Sequence, residues 1–210
     1  MGVPWKCRSR IVLCLSAHLI CAAGCSQPIN PVESSLLPQS TMVLSAQTSR
    51  FVATDSLGDS DLIWSLARPD ANPQSVVIDS SGTFLAPEVT QNTTFTATVT
   101  SSKDPTRSIS ATVTVVAAGQ ITATNNPQVA LYTLPPPSST TTCIEFSTDT
   151  FYGLKTWSQP APAAGGALSL FVAGMLAFTQ SHMRADVLAA DGVQFFGADR
   201  TFTTQAIPNT

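Results

Sequence analysis

From Thr41 to Ala117 the hydrophobic positions recur every second residue, the spacing of a half-buried strand and not the three-to-four spacing of a helix. Leu62, Trp64 and Leu66 share one face of the run 61–66. Phe95, Ala97 and Val99 alternate with threonines in 94–100, and Ile109, Ala111, Val113 and Val115 alternate in 108–115. The stretch 76–82 is a further strand running into a turn, and 101–106 is a turn-rich loop. Short strands punctuated this regularly predict a β-sandwich.

The pattern pauses at 118–126, read as a junction, and then resumes. A strand over 128–134 ends at Pro135-Pro136-Pro137, Ile144 and Phe146 face one way in 142–146, and Leu168, Leu170 and Val172 face one way in 167–173. A strand over 183–189 closes at Asp191-Gly192, and 200–204 is the last. Over 181–190 a helix competes, but the neighbouring strands and the Asp-Gly turn favour a hairpin. The expected architecture is all-β, with two consecutive β-sandwich modules. The same alternation puts Cys143 and Glu145 opposite Ile144 and Phe146, so both are expected on the solvent side, the thiol free or bridging two chains.

The N-terminus breaks the alternation. Lys6, Arg8 and Arg10 precede an apolar run from Ile11 to Ala23, interrupted by Ser16 and His18, which ends in Ala22-Ala23-Gly24-Cys25. A basic start, a short apolar core and a small-residue cleavage site predict a secretory leader, too short to span a bilayer as a mature helix. The small residues before Cys25 resemble the lipobox of bacterial lipoproteins. That resemblance implies lipidation of Cys25, a membrane partner reached through the anchor, and an outer-membrane, cell-surface or periplasmic location. An ordinary cleavage near Gly24 is the alternative. The expected divisions are leader 1–24, flexible tether 25–40 with Pro28, Pro31 and Pro38, first sandwich 41–118, second sandwich 119–205, and tail 206–210.

Composition narrows the function classes. The leader holds three of the ten basic residues and none of the thirteen acidic ones, so from Cys25 onward the chain carries -6 with histidine neutral. No basic stripe exists, which disfavours nucleic acid. The leader also holds three of the five cysteines and one of the two histidines, leaving Cys25, Cys143 and His182. Disulfides therefore cannot be what holds the folds together.

Two resemblances follow from particular residues. Trp64, the segment Asp79-Ser-Ser-Gly-Thr-Phe-Leu-Ala-Pro87 and the threonine-rich strands after it resemble a bacterial Ig-like domain, a spacer and adhesion module without catalytic residues. The second module resembles a fibronectin type III-like domain. More narrowly, it is similar to the accessory region preceding the catalytic domain of exported bacterial arylsulfotransferases. Residues 124–133, 146–157, 172–175, His182-Met-Arg-Ala185, 190–192 and 200–204 carry that likeness. Such domains usually hold a tyrosine where this chain has Ser181, which implies a weakened second module. In that family sulfate transfer resembles histidine-nucleophile chemistry on a β-propeller, and Thr210 stands about where the propeller would begin. Three readings stay open: a non-catalytic accessory lipoprotein, a free-standing adhesion or carbohydrate-binding protein, and a piece of an enzyme.

Candidate chemistry is sparse. His182 belongs to the second module's strand motif, and without a partnered serine it does not suggest a triad or a nucleophile. One histidine and one cysteine cannot build a zinc site, and Asp55 to Asp61 lacks EF-hand spacing, so no metal, no cofactor and no catalytic residue is expected. Phe151, Tyr152 and Trp157 cluster near Gly153. They either fill the end of the sandwich or contact a ligand, a surface glycan or a protein.

Overall fold

A computed structural model describes residues 34–55, 61–68 and 78–206. The chain divides into units 1–31 and 32–210, and the described strands belong to the second. The leader, Cys25 and the first part of the tether lie outside the described residues, as do most of the loop from Asp55 to Asp61, the first two residues of the strand and turn expected over 76–82, and the end of the tail.

Among the described residues eight strands build the first module: β1 (Ser34–Leu37), β2 (Ser40–Leu44), β3 (Thr48–Arg50), β4 (Val52–Asp55), β5 (Leu62–Ala67), β6 (Thr83–Leu85), β7 (Thr93–Ser101) and β8 (Ser108–Val116). They form a four-stranded sheet in the order β2-β8-β7-β5 and two two-stranded pairings, β1-β4 and β3-β6. The first strand of the large sheet, β2, runs parallel to the last, β8, and the other pairings are antiparallel. Phe95, Ala97 and Val99 of β7 and Ala111, Val113 and Val115 of β8 turn inward against Leu36, Phe51 and Phe84 from the smaller pairings. The intervening threonines and serines pair across the strands on the outer side, as Thr94 with Thr114 and Thr98 with Ser110.

The motif 79–87 has a local cause. Asp79 Oδ1 accepts from the Ser81 and Thr83 amides and the Ser81 hydroxyl at 2.6–2.9 Å, closing an Asx turn. These bonds, led by that from the Ser81 hydroxyl, hold the Asp79 carboxyl below its ordinary pKa. Gly82 follows at φ +78°, where a Cβ would lie 2.4 Å from the Phe51 carbonyl oxygen and 2.9 Å from the Trp64 ring. Glycine is thus required by the backbone conformation and by the approach of Trp64.

Nine strands build the second module: β9 (Gln120–Ala123), β10 (Ala130–Leu134), β11 (Thr140–Ser147), β12 (Leu154–Lys155), β13 (Gln159–Pro160), β14 (Leu168–Val172), β15 (Gln180–Ala189), β16 (Gln194–Phe196) and β17 (Arg200–Thr203). One sheet has the order β14-β10-β9. The other centres on β11 and β15, with β12 and β13 beside β11 and β16 and β17 beside β15. Ile144 and Phe146 of β11, Met183, Ala185 and Val187 of β15, Leu170 and Val172 of β14, and Tyr132 of β10 fill the space between them. The segment 181–190 is strand throughout most of its length, and the Asp191-Gly192 turn joins it to β16. Among the described residues no helix is long and apolar enough to cross a membrane.

Three expectations are corrected. Residues 34–40 are not tether: β1 pairs β4, β2 begins at Ser40, and Leu36 is buried in the first core. Pro38 lies between β1 and β2, and a sequence reading weighted by prolines takes the whole segment for a linker. The junction is likewise not structureless, because β9 adds to the β10 edge. Third, Cys143 and Glu145 do lie opposite Ile144 and Phe146, but they are buried, with 7% and 6% exposed. The strand register was read correctly; that face is covered by other side chains, as described below.

The modules meet along a packed seam. Leu44 and Val116 of the first contribute to the second core, with Met42 packed against it. Asn92 Nδ2 donates to the Pro135 carbonyl at 2.9 Å, while Asn92 Oδ1 accepts the Ala117 amide at 2.9 Å. Arg200 pairs with Glu88 at 3.0 Å. At the seam a Cβ on Gly119 would fall 2.2 Å from the Tyr132 ring, so the fully buried tyrosine occupies the space a side chain there would need.

Candidate functional site

The chemistry-bearing side chains gather on the outer face of the β11-β15 sheet. Cross-strand pairing sets Cys143 opposite Asp186 and Glu145 opposite Arg184, with Lys155 of β12 beside Glu145 and Phe196 of β16 beside Asp186. Directly opposite residues point to the same face, so two carboxylates and two cations converge. Lys155 Nζ lies 2.7 Å from Glu145 Oε1 and 3.1 Å from Asp186 Oδ2. Arg184 donates to Glu145 Oε2 at 2.7–2.8 Å, and Gln194 Nε2 donates to Asp186 Oδ1 at 2.6 Å. The Glu145 bond, then the Asp186 bond, raises the Lys155 pKa well above its ordinary value, so this ammonium stays charged. Burial, then the nearby Asp186 carboxylate, pushes the Cys143 thiol up, and a thiol kept protonated is a poor nucleophile. Cys143 is a free cysteine.

Beside this cluster the Arg184 guanidinium lies between two rings, its carbon 4.2 Å from the centroids of both Tyr152 and Phe196. The Tyr152 hydroxyl donates to Asp199 Oδ1 at 2.7 Å, and Asp199 Oδ2 lies 2.7 Å from His182 Nδ1. Tyr152 is raised to about 12, by desolvation and then by the bond to Asp199. These contacts bind the segment before β12, β15, β16 and the segment before β17 together. Among the described residues no group of three or more His, Cys, Asp or Glu is placed to hold a metal ion.

The three aromatics singled out in sequence are thus separated. Tyr152 is committed to Arg184 and Asp199, with a positive φ of 50°. Phe151, 90% exposed, follows Asp149, whose carboxylate accepts its amide. Trp157, 89% exposed, stands in the connection between β12 and β13. It does not fill the end of the sandwich. It borders a groove of 510 Å³ between two open strand edges, β14 on one side and β12-β13 on the other. Phe146 and Leu170 lie at the bottom, and Phe171, 67% exposed, stands on the β14 side. Gln159, Thr156 and Ser169 supply polar groups.

Phe171 and Gln159 were not singled out in sequence. For Phe171 a signal exists: it occupies an outward position of a strand whose inward set is Leu168, Leu170 and Val172, and an aromatic on the solvent side of an alternating strand is out of pattern. For Gln159 none exists, because its place follows from β13 docking on β11.

The class defined by this architecture is an Ig-like all-β protein with two consecutive β-sandwich modules. No protein-family model and no curated protein matches the chain. Among solved structures, extracellular domains 3–5 of Drosophila OTK align at 14% identity and a TM-score of 0.33, covering 83% of this chain and 62% of that one. An ICAM-5 D1–D4 ectodomain fragment aligns at 10% identity and a TM-score of 0.32, covering 86% and 53%. The chain thus spans a little over half the length of each.

Proposed function

We propose that this chain is an exported, lipid-anchored, non-catalytic surface or periplasmic protein in which the first module acts as spacer and the second carries the binding face. The observation that carries this reading is the contrast within the second module. Its ionisable cluster is engaged in mutual pairs, whereas Trp157 and Phe171 are turned to solvent around a groove. The leader-like start and the lipobox-like Ala22-Ala23-Gly24-Cys25 support export and anchoring at Cys25. Multiple acyl chains would hold far more firmly than one. The likeness of 124–204 to the accessory module of arylsulfotransferases supports an accessory role; His182, with Nδ1 against Asp199, sits in that module's own strand motif.

Two measurements test this. Mass spectrometry of the N-terminal peptide from membranes should find Cys25 acylated, and an unmodified Cys25 would remove the anchor while leaving export standing. The purified chain should transfer no sulfate from a phenolic sulfate donor to a phenol. Turnover abolished by His182→Ala would overturn the non-catalytic reading.

A further inference from the structure

The second module's groove carries an inference about what it binds, and this inference rests on the reading of that module as the binding face. We infer that the groove between β14 and β12-β13 takes a neutral saccharide chain, with Trp157 and Phe171 as stacking platforms.

Three observations lead there. The first is the ring. Trp157 is 89% exposed, and among the described residues its indole has no hydrogen-bond partner or ring contact. A wholly solvated indole is costly to present, and its electron-rich face attracts the C–H bonds on the apolar side of a sugar ring. Phe171 offers a second such face on the far wall.

The second is charge. Among the described residues Lys155 is the one charged residue lining the groove, and its ammonium is held at 2.7 and 3.1 Å by two carboxylates that are 94–95% buried. To reach an anionic ligand it would have to leave Glu145 and Asp186, stripping two buried carboxylates of their counter-ion. The walls therefore offer an acid no free cation. Gln159, whose amide is exposed, can both donate to and accept from a hydroxyl.

The third is size and form. At 510 Å³ the groove lies within the usual range for small-ligand sites, roughly 300–1,000 Å³. It is open along both strand edges, which suits a chain of sugar units entering from the side.

A different occupant must be separated from this one. The β14 edge, Leu168–Val172, carries neither charge nor proline, whereas the facing edge has Lys155 and Pro160. An edge without such guards can pair with a strand of another molecule.

The experiment uses the full chain from residue 25, with neutral hexasaccharides of glucose, xylose, mannose and N-acetylglucosamine, and a hexamer of galacturonic acid as the acidic counterpart. Binding is followed by calorimetry and by indole fluorescence. At least one neutral chain is expected to bind, with the acidic chain at least tenfold weaker. Trp157→Ala and Phe171→Ala are each expected to weaken binding by about tenfold or more, and affinity is expected to hold when salt is raised, since no ion pair forms. Circular dichroism of both variants should match the parent, because both side chains are exposed.

Preferential binding of the acidic chain, lost in Trp157→Ala, would overturn neutral selectivity and leave the groove as the binding face. Binding indifferent to both substitutions would overturn the groove itself. No binding by any hexasaccharide, with concentration-dependent self-association abolished by Phe171→Lys, would replace the sugar with a second copy of the chain. No binding and no self-association would overturn the saccharide proposal outright.

Discussion

The two sandwiches share an architecture but dress their outer faces differently. On the first, β7 and β8 present threonine and serine hydroxyls paired to one another. On the second, β11 and β15 with their neighbours β12 and β16 present carboxylates, cations and aromatics so tightly interlocked that Glu145 and Asp186 are as buried as core residues. The large exposed aromatics among the described residues, Phe151, Trp157, Phe171 and Phe178, all belong to the second module. A hydroxyl ladder satisfies its strands and offers a partner little. A salt-linked face fixes the strands around it, and here it fixes β12, from which Trp157 extends. Outward-facing chemistry, not core design, separates the two modules.

The seam is where the comparison breaks most easily. Gly119→Ala would drive a methyl group into the Tyr132 ring, with a loss of about 3 kcal/mol expected. Because Leu44 and Val116 belong to the second core, thermal unfolding should show one transition moving down as a whole. Two separate transitions, with only one displaced, would show that the modules fold independently and that the seam is incidental.

Alkaline pH tests the same tyrosine without a change of shape. Burial raises Tyr132 from 10.0 to about 12. The folded state then keeps a proton that the unfolded state loses, so its contribution is intact below pH 10 and is lost as pH rises from 10 towards 12. The expected decline is roughly 2–3 kcal/mol, read from urea unfolding at successive pH values. Tyr132→Phe should remove this part of the slope, leaving the part that belongs to Tyr152, which is likewise raised to about 12. An unchanged slope would place the titration elsewhere.

The outer face of the second module is sharpened by Glu145→Ala. It leaves Lys155 and Arg184 without their shared partner, but both can turn partly to water, so about 2 kcal/mol is expected, below the value for a fully buried pair. Thr98→Ala at the corresponding hydroxyl ladder should cost about 0.5 kcal/mol. Equal losses would erase the distinction drawn between the faces.

The smallest effect concerns the first module's turns. Asp79 is held below 3.8 by bonds from Ser81 and Thr83, and Asp104 by bonds from Thr106. Both carboxylates titrate lower when folded. Their contribution is therefore present above pH 3.8 and lost as pH falls through the folded values. Asp79→Asn should show a slightly lower melting temperature at pH 6 and converge with the parent near pH 2. A gap that persists in acid would point to a steric cause.

Sequence alone determined the strand faces. A side chain in a strand points to the side opposite its neighbours whatever surrounds it, so the inward sets of β7, β8, β11 and β14 could be read residue by residue. The Asp79 to Pro87 turn was equally local, since its hydrogen bonds and Gly82's backbone lie within a few residues. Covering of a face is different, because it depends on residues distant along the chain. Cys143 and Glu145 became buried only when Lys155, Arg184, Asp186 and Gln194 arrived from three other strands. The groove beside Trp157 likewise required β14 and β12-β13 to end as facing edges of two sheets. Period-two alternation says which way a side chain points, and tertiary packing decides what it meets there.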